Sequence, residues 1–139
     1  MNSIAADRQL IVEAVYKYAL GYDEADFVLL AEAFCQDAVS GGKITNSELH
    51  WGPMNGRDQI ISGLKDMRMA PNQPRHCISN PLFISQSDRD ASLRCYLTLM
   101  ASENGAASVK SVGSLSIRVR KDEDHWRIYK LDVTLDAPF

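Results

Sequence analysis

Asp23 and His76 are the two residues of this chain best suited to moving a proton. A carboxylate beside an imidazole favours the charged ring and fixes its tautomer. Burial opposes charging, so such a pair can hold a histidine near working pH, where general acid–base catalysis is most efficient. His76 lies near the start of "RHCISNPLFIS", Arg75 to Ser85. Side chains alternate across a strand, so His76, Ile78, Asn80, Leu82 and Ile84 are expected on one face. Three of these five are aliphatic, which turns that face inward and takes His76 and Asn80 with it. The plainer alternative is a core histidine satisfied by one hydrogen bond.

Asp23 follows Ala19 by four residues and lies one turn past the Tyr18–Tyr22 edge of a helical pattern, so it can face the same interior. It could instead cap the helix that follows. Asp26, immediately before Phe27, can take that task and free Asp23. Tyr18 and Tyr22 are either packing rings with hydroxyls at the rim or phenols aimed at a ligand. In the last strand Asp132 alternates in step with Trp126, Ile128 and Lys130. If that face is inward, Asp132 shares the space of His76; otherwise it pairs with Lys130 in solvent. His50 and His125 fall in loop-like settings and read as solvated.

The elements that must position these groups follow from periodicity. Ile11, Ala14, Val15, Tyr18, Ala19 and Tyr22 mark one face of a first helix, with Ser3 or Asp7 as its cap and Gly21 weakening its end. Phe27, Leu30, Ala31 and Phe34 mark a second helix. Ile60, Ile61, Leu64 and Met67 mark a third, ended by Pro71 and Pro74. Between the last two, a Gly-, Asn- and Ser-rich section holds short strands near Val39 and Glu48 to Trp51. The second half carries four strands, near 76–85, 91–101, 109–121 and 126–136, joined by short turns and hence antiparallel neighbours. Helices followed by a meander predict an α+β fold, with three helices over one face of a curved sheet.

The 139 residues fit one domain, 1–139, and the net charge of −3 with no basic run argues against nucleic acid as a partner. No apolar stretch is long enough for a membrane span, and the first residues lack the pattern of a signal peptide. Cys35, Cys77 and Cys95 are odd in number and widely spaced, which predicts reduced thiols, no metal site and a cytoplasmic protein. No phosphate-cradling loop, nucleophile elbow or metal-binding helix pair is present in the sequence.

Read in order, "YALGYDEADFVLLAEAFCQDAV", "GRDQI", "RHCISN" and "HWRIYKLDVTLD" resemble the SnoaL-like branch of the nuclear transport factor 2-like superfamily. The resemblance covers nearly the whole chain. It implies a cone-shaped, curved mixed β-sheet with helices on its concave face (an α+β barrel or cystatin-like roll), a deep pocket, and a homodimer formed through the sheet. Members include scytalone dehydratase-like enzymes, polyketide cyclases and ketosteroid isomerase-like proteins, and also non-catalytic subunits. In the dehydratase-like members an Asp at the end of the first helix pairs with a His opening a central strand, which are Asp23 and His76 here. Tyr22 also matches the scytalone dehydratase pattern, and Asp132 is the loose counterpart of the acid used by the cyclases. Two departures from the scytalone dehydratases stand out: in place of their second His the strand after His76 offers only Arg94, Tyr96 and Thr98, and where they have a C-terminal segment that closes over the ligand this sequence ends at Phe139.

The expectation is therefore a cofactor-independent lyase or isomerase acting on a hydrophobic cyclic small molecule. His76 takes a proton next to a carbonyl and returns it to a leaving hydroxyl or another carbon. Asp23 orients His76, and Tyr18 or Tyr22 hydrogen-bonds the carbonyl. Asn80, Trp51, Tyr96 and Asp132 complete the substrate-binding set. The alternatives are a binding or subunit-interaction module of the same fold, and a dimer whose pocket is filled by its own Phe, Trp and Met side chains.

Overall fold

The computed structural model describes residues 2–139. Helices α1 (Ile4–Asp23) and α2 (Phe27–Glu32) precede strands β1 (Phe34–Ile44) and β2 (His50–Asn55). Helix α3 (Arg57–Arg68) then leads into β3 (Gln73–Gln86), β4 (Asp90–Glu103), β5 (Ala106–Asp122) and β6 (His125–Leu135).

Ser3 caps α1 by accepting from the Ala6 amide at 3.1 Å. Asp7, the other candidate cap, is instead buried and accepts from Trp126 Nε1 at 3.1 Å, which pins α1 to β6. Ile11, Ala14, Val15, Tyr18 and Ala19 are buried at the expected helical spacing. Gly21 does not weaken the helix end: α1 runs on to Asp23. The glycine is there for packing, since a Cβ would fall 2.6 Å from the Leu30 backbone nitrogen of α2. Asp26 caps α2 by accepting from the Leu29 amide at 3.0 Å, so Asp23 is free of that duty. The second helix is shorter than its apolar pattern implies. Phe34 is fully buried at the start of β1 rather than on the helix.

The six strands form one mixed sheet in the order β2-β1-β6-β5-β4-β3. β3 to β6 are antiparallel neighbours, as the short turns predict. β1 runs parallel to β6, an arrangement its sequence did not announce. The sheet stays open, with β2 and β3 as edges. Leu93, Cys95, Leu97, Leu115, Ile117, Val119, Leu131 and Val133 are buried and form the apolar inner face beneath the helices. Burying an aliphatic side chain of this kind contributes about 1.5–3 kcal/mol.

Of the register shifts in the sheet, three decide which residues face the helices near the site. In β3 the pairing slips between Ser79 and Leu82, where Asn80 has φ 56°. In β6 Tyr129 is left over between the pairs Val119–Ile128 and Arg118–Lys130. In β5 Lys110 is left over between Leu99–Ser111 and Met100–Val109. No helix of the described residues is long and apolar enough to cross a membrane.

Candidate active site

The last residue of α1 meets the start of β3. Asp23 Oδ1 lies 2.7 Å from His76 Nδ1, and Asp23 Oδ2 accepts the His76 backbone N–H at 2.7 Å. Both carboxylate oxygens are thereby used, and the two side chains are only 4% and 9% exposed. With an ionised Asp23 as acceptor, Nδ1 carries the proton and Nε2 is left with its lone pair. Nε2 has no protein partner, yet no buried side-chain N or O atom of the described residues is unpartnered, so it opens onto the cavity that His76 lines.

Two residues that the sequence reading passed over hold Asp23 in place. α1 has no basic residue in its last turn, so its terminal carbonyls need a cation from elsewhere. Arg68, at the end of α3, donates from Nε to the Tyr22 carbonyl at 3.1 Å and from Nη2 to the Asp23 carbonyl at 3.0 Å. Gln73 donates from Nε2 to the same Asp23 carbonyl at 2.8 Å. The available signal was this mismatch, an unbalanced C-terminus on one helix and an Arg closing another.

The Tyr18 and Tyr22 rings stand T-shaped to the imidazole, with centroids 5.7 Å and 4.9 Å away. Burial pushes the Tyr18 phenol well above its ordinary value, with Tyr22 and Asp23 adding to the shift. Burial also raises Tyr22; Arg68 opposes this and Asp23 adds to it. Both phenols therefore stay protonated and can donate a hydrogen bond. An unfolded tyrosine ionises near pH 10. The raised folded values mean that the stability they confer is whole below about pH 10 and falls as pH rises beyond it, where the unfolded chain loses protons first. In an alkaline titration followed at 295 nm, Tyr18→Phe should remove none of the amplitude that develops near pH 10, only amplitude that appears on unfolding. Loss of the ordinary amplitude would show that Tyr18 is not shielded.

These groups sit at one end of a cavity of about 360 Å³. The rest of its wall is mostly apolar, including Leu64, Met67, Leu97 and Val133, with Asn72 and Lys110 as polar members. The Trp51 ring covers Gly42, where any Cβ would collide with the indole, and it meets the Phe139 ring edge-on at 6.0 Å. Bulky side chains thus frame the space and do not fill it.

The structure therefore brings Asp23, His76, Tyr18, Tyr22 and Trp51 together and leaves three expected members outside. Asn80 is exposed on the other face of the sheet because the β3 bulge reverses the alternation after Ser79; Phe83, not Leu82 or Ile84, then points inward. Asp132 is likewise turned outward, 3.8 Å from Lys130, because the extra Tyr129 puts Leu131 and Val133 inside. Tyr96 falls between the inward Cys95 and Leu97 and is 61% exposed. The inner face of β4 offers aliphatic side chains and Cys95, with no second imidazole. Among the described residues, no three His, Cys, Asp or Glu side chains cluster as a metal site would require.

A lone pair on an imidazole, oriented by a buried carboxylate and flanked by two protonated phenols, can abstract a proton while a phenol stabilises the oxygen on which negative charge develops. The model of the SnoaL-like domain matches residues 3–132. A cystatin-like fold protein of unknown function from Nostoc punctiforme PCC 73102 superposes with TM-score 0.80 at 20% identity, covering 98% of this chain and 96% of that one. Two proteins of Novosphingobium aromaticivorans DSM 12444 also superpose. One carries the provisional name scytalone dehydratase, with TM-score 0.78 at 16% identity over 97% and 87% of the two chains. The other is the β subunit of a provisionally named aromatic-ring-hydroxylating dioxygenase, with TM-score 0.81 at 13% identity over 97% and 92%. At these identities the likeness is one of fold. No curated protein matches the chain.

Proposed function

Because the chain belongs to the SnoaL-like domain family, we propose that it is a cofactor-independent acid–base enzyme, a lyase or isomerase of the dehydratase or cyclase kind. The observation that carries the reading is the direct Asp23–His76 contact at 2.7 Å on the wall of an apolar cavity. A module that only binds has no need of a buried, oriented base. The cavity is at the small end of the range for ligand sites, which suits a compact cyclic molecule with one polar end. His76 Nε2 takes a proton from the carbon beside a carbonyl. Tyr18 or Tyr22 donates to the carbonyl oxygen as the enolate forms. The imidazolium then gives the proton to a leaving hydroxyl or to another carbon. Asp23 stays ionised and steadies the charged ring.

The test is a panel of phenolic, polyketide-like and steroid-like ketones incubated with the protein in deuterated buffer and followed by NMR. Deuterium entering next to a carbonyl, or loss of water, supports the enzyme. Compounds that bind without either change favour the second reading, a binding or subunit-interaction module, for which the fold likeness to a dioxygenase β subunit speaks.

The same proposal includes a cytoplasmic setting, in keeping with three free cysteines. It also includes a homodimer through the outer sheet face, where Leu82, Ile84, Tyr96 and Val112 are exposed. In sedimentation velocity the protein should run with the mass of two chains, and Tyr96→Glu should bring it to one. A wild-type chain that runs as a monomer would remove this part of the reading.

A further inference from the structure

We propose that Lys110 is a specificity-determining residue that holds a carboxylate on the ligand, so that the cavity selects an organic anion over its neutral analogue. Among the described residues, Lys110 is the only one that lines the cavity with a permanently charged side chain. In an unbroken β5 it would face outward, since Ser111 and Leu115 mark the inner side. It reaches the cavity because it is the extra residue of the bulge opposite Leu99 and Met100. A bulge of this kind costs ladder hydrogen bonds and re-aims one side chain. The side chain so delivered is a cation beside the apolar Leu99, Met100 and Ala101 of the wall.

Its protein partner is weak. Glu103 Oε2 lies 4.0 Å from Nζ, and the two side chains are 44% and 34% exposed. An exposed pair at that separation holds its members loosely, so a ligand carboxylate can displace Glu103. Arg68, the cation nearest the other side of the site, is already committed to the Tyr22, Asp23 and Asn72 carbonyls. The register gives the distance over which the ligand must act. His76 pairs with Leu99, and Leu99 pairs with Ser111, the neighbour of Lys110. Two strand spacings separate the backbones by about 10 Å. The ligand this describes has its carbonyl among His76, Tyr18 and Tyr22, an apolar ring body, and a carboxylate at the far side.

This inference rests on the cavity being a small-molecule site, as proposed above, and the experiment separates the two. Binding of 2-naphthoate and of its neutral analogue 2-acetonaphthone is measured by calorimetry, without turnover. Wild-type protein should bind the anion about tenfold more tightly than Lys110→Met does, the scale of a charge-assisted contact. Lys110→Arg should keep the preference, Glu103→Gln should strengthen anion binding by removing the competitor, and the affinity for 2-acetonaphthone should be the same in all four proteins. Ketone binding with no Lys110-dependent preference for the anion overturns the role of Lys110 and leaves the cavity reading intact. Failure of both probes to bind wild-type protein overturns the two together.

Discussion

Replacing His76 by alanine should lower turnover about a hundred- to ten-thousandfold while the fold survives. The size of the loss follows from what is removed. Among the described residues, His76 supplies the one imidazole on the cavity wall, since the inner face of β4 has no second imidazole and Asp132 is outside. The neighbouring phenols are held protonated by burial, so neither can take over as base near neutrality. The fold should tolerate the change because Asp23 Oδ2 still receives the His76 backbone N–H, and that bond does not depend on the side chain. Turnover of the substrate found in the panel, with a urea melt of the same sample, checks both halves. Full activity in the alanine variant would end the mechanism. Lost activity with a collapsed melting curve would show that His76 is a structural member first.

Asp23→Ala should cost more in stability than any other change at the site, about 2–6 kcal/mol. It strips the acceptor from two donors, the His76 amide and Nδ1–H, and each unsatisfied buried donor costs about 1–3 kcal/mol. Against a typical total of about 5–15 kcal/mol this is a large fraction. Asp23→Asn divides the two roles. Its amide oxygen can still accept from the main chain, so the melt should fall by less than in the alanine variant. The amide nitrogen then faces Nδ1, which must accept, and the ring proton moves to Nε2, where the lone pair is needed. An error of tautomer of this kind costs on the order of ten-thousandfold in turnover. An asparagine variant with wild-type turnover would mean that the carboxylate does not set the tautomer.

The parts of the site carried by helices were legible in the sequence, and the parts carried by strands were legible only up to the first bulge. The period of α1 put Tyr18, Tyr22 and Asp23 on one side, and Asp26 announced itself as the cap that spares Asp23. His76 lies before the β3 bulge, so its alternation with Ile78 held. Asn80 lies in the bulge and Asp132 beyond one, and a period of two cannot survive an inserted residue. Lys110 was hidden for the same reason in reverse: the insertion brings in a side chain that alternation places outside. The β3 bulge left a mark in Asn80–Pro81, a pair disfavoured inside a strand, whereas Tyr129 and Lys110 carry no such sign. Tyr96 needed no bulge to be placed, as its neighbours Cys95 and Leu97 already claimed the interior. The role of Arg68 depended on which helix ends meet, which is a property of the assembled chain. The same is true of the parallel pairing of β1 with β6.

The bond from the His76 amide to Asp23 Oδ2 makes one hydrogen atom a witness for the whole constellation. That amide can trade its proton for deuterium only when the carboxylate lets go, and the main-chain carbonyl of Asp23 is held by Arg68 of α3 and Gln73 of β3. Its exchange rate is therefore a clock for how often the base loses its orientation. Read with and without a bound molecule, it would report whether occupancy tightens the junction of α1, α3 and β3 without any need to observe a reaction.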